Sequence, residues 1–389
     1  MVRGIGLKVL LVADGAGVLC HTASLVTSLV RTGLTVRLSL TASAQVLVGP
    51  YFGSMLSGHP VLPFEELDEN GLSGYDAILV APASEKAIKE MCESPAWNGV
   101  RCPVLVGPGL LPKDDNADAW DELDATISAK GWKLIPAGIE TCTMGALGEL
   151  RVASTERCFE EMMVAIGKND LKGKRILITT GPTAEDADPV RFVTNRSTGR
   201  MGVALARMAA WRGAFVTLIH GPMSWPIPPI NAIRPVPVRS ANDMYMATME
   251  LVQEQHIAIL CAAVADYTPV EYSDIKIKKG QDATFALLLK RTPDILDAVG
   301  HMPGERPFLV GFAAESDHVH ANAQSKLQAK NCDMLCANDV TKPGSGFAVG
   351  TNQVTVFLRG GEVRELPQMS KEDVAGKILD IVSERMSLQ

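Results

Sequence analysis

The chain has 389 residues, 47% of them hydrophobic, and a formal net charge of −7. That length suggests two domains of roughly 150–200 residues each, and the acidic balance argues against a general nucleic-acid binder. The first apolar run, IGLKVLLVA, carries Lys8 and is too short to span a bilayer, so neither a membrane anchor nor a secretory leader is expected.

In chain order, the first half alternates strand and helix. LKVLLVAD (7–14) reads as a strand, and the turn DGAGVLCH leads into a helix to about Thr32. LTVRLSLT (34–41), YDAILVAPA (75–83), CPVLVGP (102–108) and GWKLIPA (131–137) follow as strands. Short apolar runs separated by helical segments predict a parallel sheet covered on both faces. The pattern restarts after a helix opened by Ser154 or Thr155 and a hinge, LKGK. The predicted boundaries are 1–150 for a first domain, 151–173 for a linker and 174–389 for a second domain.

The second half reads as strand 175–180, helix from about 200 to 212, strand 214–220, and a Pro-rich loop over 221–238. A helix capped by Ser240 or Asn242 and a strand at 257–262 come next. Residues 274–294 read as extended antiparallel structure. Helix 293–301, strand 307–313, helix 317–330, strand 332–337, a hairpin around 353–366 and a helix from Lys371 complete the pattern.

The eight cysteines include no Cys-x-x-Cys, so no zinc ribbon is expected, and reduced thiols in the cytoplasm are. His318 and His320, two apart at a predicted helix start, point to different faces, so no metal site is expected there.

RFVTNRSTGRMG (191–202) holds three arginines and no carboxylate. It lies between a strand and a helix whose N-terminus, near Thr198, offers unpaired N–H groups and a positive dipole end to an anion. Glycine-rich turns at the carboxyl ends of strands are where doubly wound sheets bind ligands. The stretch is not G-x-G-x-x-G, and His220-Gly221-Pro222 stands where a dinucleotide fold needs an acid, which weakens an NAD(P) reading. Asp266, in AAVADYTP, sits at the mouth of another strand. KIKK (276–279) and Lys290-Arg291 put five positive charges within 16 residues, either a solvated strand edge or a basic flap over a polyphosphate. Lys326 and Lys330 share one helix face.

Together these segments resemble a known family. TTGPTAEDADPVRFVTNRSTGRMG, CAAVADYTP, KIKK, RTPDIL, VGFAAES, KLQAKNCDMLCAND and GFAVGTNQV stand in the order and spacing found in phosphopantothenate–cysteine ligases, the second half of bacterial bifunctional coenzyme A biosynthesis proteins. The resemblance covers nearly all of 171–389. It implies an α/β chain of two doubly wound Rossmann-like domains, the first flavodoxin-like and the second of ligase type with an antiparallel extension. It also implies CTP-dependent, Mg²⁺-assisted joining of 4′-phosphopantothenate to L-cysteine through an acyl-cytidylate. By motif match, Asn195 takes the step that consumes that intermediate, with Arg191 beside it. Asp266, Lys276, Pro293, Asp294, Ile295, Leu296, Phe312, Lys326 and Lys330 fall on CTP-contacting positions, Lys276 on a flap. A homo-oligomer built through ligase-domain dimers is implied, with no nucleic-acid or membrane partner.

Residues 1–150 resemble the FMN-dependent decarboxylase half of the same family through DGAGVLCHTASLVTSLVRTG, LTASAQVLVGPYF, LSGHPV and AILVAPAS. The family's His before the APA strand is missing, VGPGLL replaces its PAMN, and its flap survives only as TCTMGALGEL. Cys142 falls at the reactive position. The expectation is a half that no longer decarboxylates by the family mechanism. A divergent site that keeps Cys142 as its acid, in a fully bifunctional protein, is the alternative. A non-catalytic scaffold is a further reading from a different class.

Overall fold

The computed structural model describes residues 6–15, 19–110, 117–141, 149–278, 284–315, 319–339, 341, 344, 346 and 349–387. By contact density the chain divides into two compact units, Val2–Gly167 and Lys168–Gln389.

In the first unit the strand Lys8–Ala13 is central. It pairs in parallel with Thr35–Leu40 on one side and Ala77–Ala83 on the other. Val104–Leu110 continues the sheet beyond Ala77–Ala83, and Leu62–Pro63 extends the opposite side. Near-continuous apolar runs suit strands covered on both faces, and residues 9–13 and 77–80 are all but fully buried. The strand expected from GWKLIPA shrinks to Lys133–Leu134. Pro136 lacks the N–H that would extend the ladder. The sheet edge is instead built by the antiparallel strands Gly138–Thr141 and Glu149–Val152, which sequence periodicity did not reveal.

In the second unit the strand order is Ile233–Pro237, Phe215–His220, Arg175–Thr180, Ile257–Leu260, Phe308–Glu315, Met334–Asp339, Thr355–Leu358, Val363–Glu365. The first six are parallel, and the last two are the antiparallel hairpin expected around 353–366. Of the stretch 274–294 read as extended antiparallel structure, the described residues form only the short strand Leu289–Arg291, which pairs antiparallel with Tyr267–Pro269. Ile233–Pro237 lies within the stretch read as a Pro-rich loop. It is an edge strand, where the N–H groups missing from Pro235 and Pro237 are tolerated. The final helix, Lys371–Met386, is capped by Ser370, whose side chain accepts from the Asp373 N–H, and packs on the helix Arg200–Trp211. Buried Arg212 joins these parts. It donates to Asp170 Oδ1 at 2.8 Å and to Asp380 Oδ1 at 3.0 Å.

From Arg175–Thr180 the chain builds outward to Phe215–His220 and Ile233–Pro237. It then crosses to the other side with Ile257–Leu260. Strand order therefore reverses between Arg175–Thr180 and Ile257–Leu260, the crevice where open α/β sheets hold ligands.

Candidate active site

At this reversal the helix Arg200–Trp211 starts directly against the end of its strand. A Cβ at Gly202 would fall 2.2 Å from Thr180 Oγ1 and 2.4 Å from Thr180 Cβ, so only glycine permits that approach. Thr180 Oγ1 donates to Gly199 O at 2.8 Å and pins the helix entry. The loop expected to meet an anion is thereby held at the carboxyl end of the sheet.

A cleft of about 910 Å³ opens there, lined among others by residues 197–201, 260–267, 291–296 and 312–314. Its size falls within the range usual for small-molecule sites. Among the described lining residues the cations are Arg200, Arg291, Lys326 and Lys371, against the carboxylates Asp266 and Asp294. With the helix N-terminus added, the wall favours an anionic occupant.

Eight of the residues nominated from sequence line this cleft: Asn195, Asp266, Pro293, Asp294, Ile295, Leu296, Phe312 and Lys326. Asn195 Nδ2 donates to Ala263 O at 2.9 Å and to Val264 O at 3.1 Å. Its two amide protons are spent on the backbone, so the group it offers a ligand is the acceptor oxygen. Asp294 caps the helix Ile295–Gly300 by accepting from the Asp297 N–H at 2.9 Å. Burial opposes its charge, but that hydrogen bond and Lys330 outweigh it and hold the carboxyl below its ordinary range.

Lys330 does not reach the cleft wall. It pairs with Asp294 at 2.9 Å and Asp297 at 3.2 Å, and the Asp294 hydrogen bond raises its pKa. Any effect of Lys330 on the cleft therefore passes through Asp294. Arg191 and Lys276 also lie off the wall. Arg191 Nη1 bonds Asp188 Oδ2 at 2.8 Å and donates to Ile277 O at 2.9 Å. Buried Asp188 also accepts from the N–H groups of Val190 and Arg191, each at 2.8 Å, and of Ile277 at 3.1 Å. Arg191 and Asp188 thus tether the basic segment that carries Lys276. Burial works against the Asp188 charge, but these bonds prevail and lower its pKa. The tether is present above the ordinary carboxylate value and is lost as pH falls through the lower folded value. Asp188→Ala is expected to raise the rate of tryptic cleavage at Lys276 and Lys278 by roughly tenfold. Equal cleavage in limited proteolysis would show that Asp188 does not hold the segment.

Cys142 lies outside the described residues. Three charged residues of the wall, Arg291, Arg200 and Lys371, were not nominated from sequence. Arg200 stands in the quoted loop. Its guanidinium lies 4.5 Å from the Trp225 ring centroid and 3.4 Å from Glu372 Oε1. Lys371, the first residue of the final helix, is only 3% exposed, and its Nζ donates to Gly346 O at 3.1 Å. Burial, then the charge of Arg200, push its pKa down. SKEDVAGK carries no sign of this, since it reads as an ordinary capped helix start. Burial pushes the Cys261 thiol on the same wall up to about 12, so it stays protonated and is a poor nucleophile near neutral pH. Among the described residues no group of three His, Cys, Asp or Glu side chains could hold a metal ion.

The family model for the C-terminal domain of DNA/pantothenate metabolism flavoproteins matches residues 171–386. Over 399 residues the chain is 35% identical to the coenzyme A biosynthesis bifunctional protein CoaBC of Vibrio cholerae serotype O1, with 98% of this chain and 99% of that one covered. It is 37% identical over 394 residues to the Bacillus subtilis protein of the same name, with 97% and 96% covered. A cysteine/cysteine sulfinic acid decarboxylase from an unknown prokaryotic organism is 37% identical over 316 residues, covering 78% of this chain and 88% of its own length. Among solved structures, the C-terminal domain of a CoaBC protein is 40% identical and covers 57% of this chain and all of its own, with a TM-score of 0.49.

Proposed function

The chain belongs to the family of bifunctional coenzyme A biosynthesis proteins, and from that premise we propose that its second unit joins 4′-phosphopantothenate to L-cysteine at the expense of CTP. The observation that carries this reading is the convergence of Asn195, Asp266, Pro293 to Leu296, Phe312 and Lys326 on one cation-rich cleft at the strand-order reversal.

The chemistry follows from what a carboxylate lacks. Direct attack by an amine would have to expel oxide. In the proposed first step a carboxylate oxygen of 4′-phosphopantothenate attacks the α-phosphorus of CTP, forming an acyl-cytidylate and releasing pyrophosphate. In the second step the cysteine amine attacks the acyl carbon, the acyl C–O bond breaks, and CMP leaves with that oxygen. Both steps depend on positioning and charge stabilisation. The helix N-terminus at 198–201, Arg200, Lys326 and Lys371 offset phosphate charge, and Mg²⁺ would enter with the nucleotide. Asn195 offers an acceptor oxygen, which suits an incoming N–H of the cysteine amine better than an oxyanion. Lys276 acts from the tethered basic segment, Arg191 by holding that segment, and Lys330 through Asp294.

In this reading residues 174–389 are the ligase part and 1–150 the decarboxylase-related part; of the predicted linker 151–173, residues up to Gly167 group with the first compact unit. The protein works in the cytoplasm as a homo-oligomer through its ligase units. Exposed Tyr272, Ile275, Phe285 and Leu288 near the basic segment support such a contact. No helix among the described residues is long and apolar enough to cross a membrane.

The test uses the purified chain with 4′-phosphopantothenate, cysteine, Mg²⁺ and either CTP or ATP. Phosphopantothenoylcysteine should form only with all components present, and faster with CTP. No product with either nucleotide would reject the assignment.

A further inference from the structure

The first unit has its own strand-order reversal, between Lys8–Ala13 and Ala77–Ala83. A flavin phosphate, implied there by the decarboxylase resemblance, would need donors converging on that crevice. Such donors are present. Thr41 follows the strand Thr35–Leu40, with Ser43 two residues on, and Ser84 follows Ala77–Ala83. All three hydroxyls instead donate to one side chain of the protein, Asp14, which is 7% exposed. Thr41 Oγ1 lies 2.7 Å and Ser43 Oγ 2.8 Å from Asp14 Oδ1, and Ser84 Oγ bonds Asp14 Oδ2. The N–H groups of Gly15 and Ser84 add bonds of 2.7 and 3.3 Å.

The protons leave little for a ligand. A hydroxyl has one. Those of Thr41 and Ser84 go to Asp14 while their oxygens accept from the N–H groups of Ala44 and Ala87. A further N–H of the helix start that Thr41 caps is also occupied, because the Ala42 N–H donates to Glu65 Oε1 at 2.9 Å. The loops are also closed on each other. A Cβ at Gly15 would lie 2.7 Å from the backbone carbon of Ser43, so the Asp14 turn packs directly on the Ser43 segment. Burial opposes the Asp14 charge, but the hydrogen bonds from Ser84, Thr41, Ser43 and Gly15 outweigh it and keep its pKa low, so it is a carboxylate at neutral pH. Its partners among the described residues are all neutral donors, so nothing there offsets a second anion.

We propose that Asp14 is a built-in anion that fills the phosphate cradle of the first unit, so that this unit does not take up FMN or another mononucleotide through its phosphate. These residues do not fit a flavin phosphate, because a dianion would have to displace a carboxylate from its donors and then sit beside it unscreened. The inference rests on the first unit alone and is independent of the ligase reading.

The test compares FMN with riboflavin, which lacks the phosphate, by flavin fluorescence on the full-length wild-type chain and on the Asp14→Ser and Asp14→Asn variants. Wild type should bind FMN no more tightly than riboflavin. Removing the carboxylate should favour FMN over riboflavin by at least roughly tenfold. Where no flavin binds at all, inorganic phosphate serves as probe, and the variants should broaden its ³¹P resonance beyond the wild-type level. A wild-type preference for FMN overturns the proposal, and so do folded variants with neither gain. If neither variant folds, the wild-type comparison decides. Ligation by the second unit should be unchanged in folded variants, which keeps this result separate from the test of the ligase.

Discussion

Replacing Asn195 by alanine is expected to slow formation of phosphopantothenoylcysteine by about 100-fold or more, the scale of losing one oriented polar group at a reaction centre. Pyrophosphate release in a single turnover should survive, because the substitution leaves Arg200, Lys326, Lys371 and the helix N-terminus on the cleft wall. The variant should therefore accumulate the acyl-cytidylate, detectable by rapid quench and mass spectrometry. CTP binding, read by calorimetry, should remain close to wild type. Product formation at the wild-type rate would remove Asn195 from the reaction. Parallel loss of pyrophosphate release and CTP binding would mean that the bonds from Asn195 to the carbonyls of Ala263 and Val264 shape the nucleotide site itself.

Gly202→Ala is expected to have the second-largest effect, through packing. The added methyl carbon would lie 2.2 Å from the hydroxyl and 2.4 Å from the Cβ of Thr180, a buried β-branched residue with little freedom to yield. Overpacking of this kind costs about 1–3 kcal/mol. The helix Arg200–Trp211 must move away from its strand, which carries Arg200 and the N-terminal N–H groups with it. Thermal unfolding of the second unit should shift downward, and KM for CTP should rise more than that shift alone explains. An unchanged melting temperature with unchanged KM would show that the helix start tolerates a side chain.

Much of this arrangement was legible before any coordinates. Period and punctuation located Arg175–Thr180, Arg200–Trp211 and the hairpin of Thr355–Leu358 with Val363–Glu365, because each carries its own local signal. The lining role of Asn195, Asp266 and Lys326 was reached through motifs whose order survives in the chain. What escaped depended on contacts distant in sequence. The environment of Lys371 is set by burial and by Arg200, 171 positions away, and no local pattern encodes it. The edge strand Ile233–Pro237 was hidden by its prolines, which the sheet edge tolerates. Arg191 and Lys330 carry the charge expected of ligand contacts, yet the fold directs them to Asp188 and to Asp294 with Asp297. A motif match marks a position, whereas the acid partners decide where its charge points. Asp14 gave the converse case. VADGAG reads as a strand end and a turn into a helix, and only the convergence of Thr41, Ser43 and Ser84 reveals the anion that Asp14 supplies there.

Isotope transfer reports whether a carboxylate is activated as an acyl-cytidylate in the cleft of the second unit. 4′-Phosphopantothenate labelled with ¹⁸O in its carboxylate is turned over with CTP and cysteine, and the products are separated and weighed by mass spectrometry. One labelled oxygen should appear in CMP, since that oxygen forms the bond to the α-phosphorus and leaves when the amine attacks. Label in orthophosphate, with CDP as the nucleotide product, would contradict the account by showing transfer of the terminal phosphoryl group to the carboxylate instead.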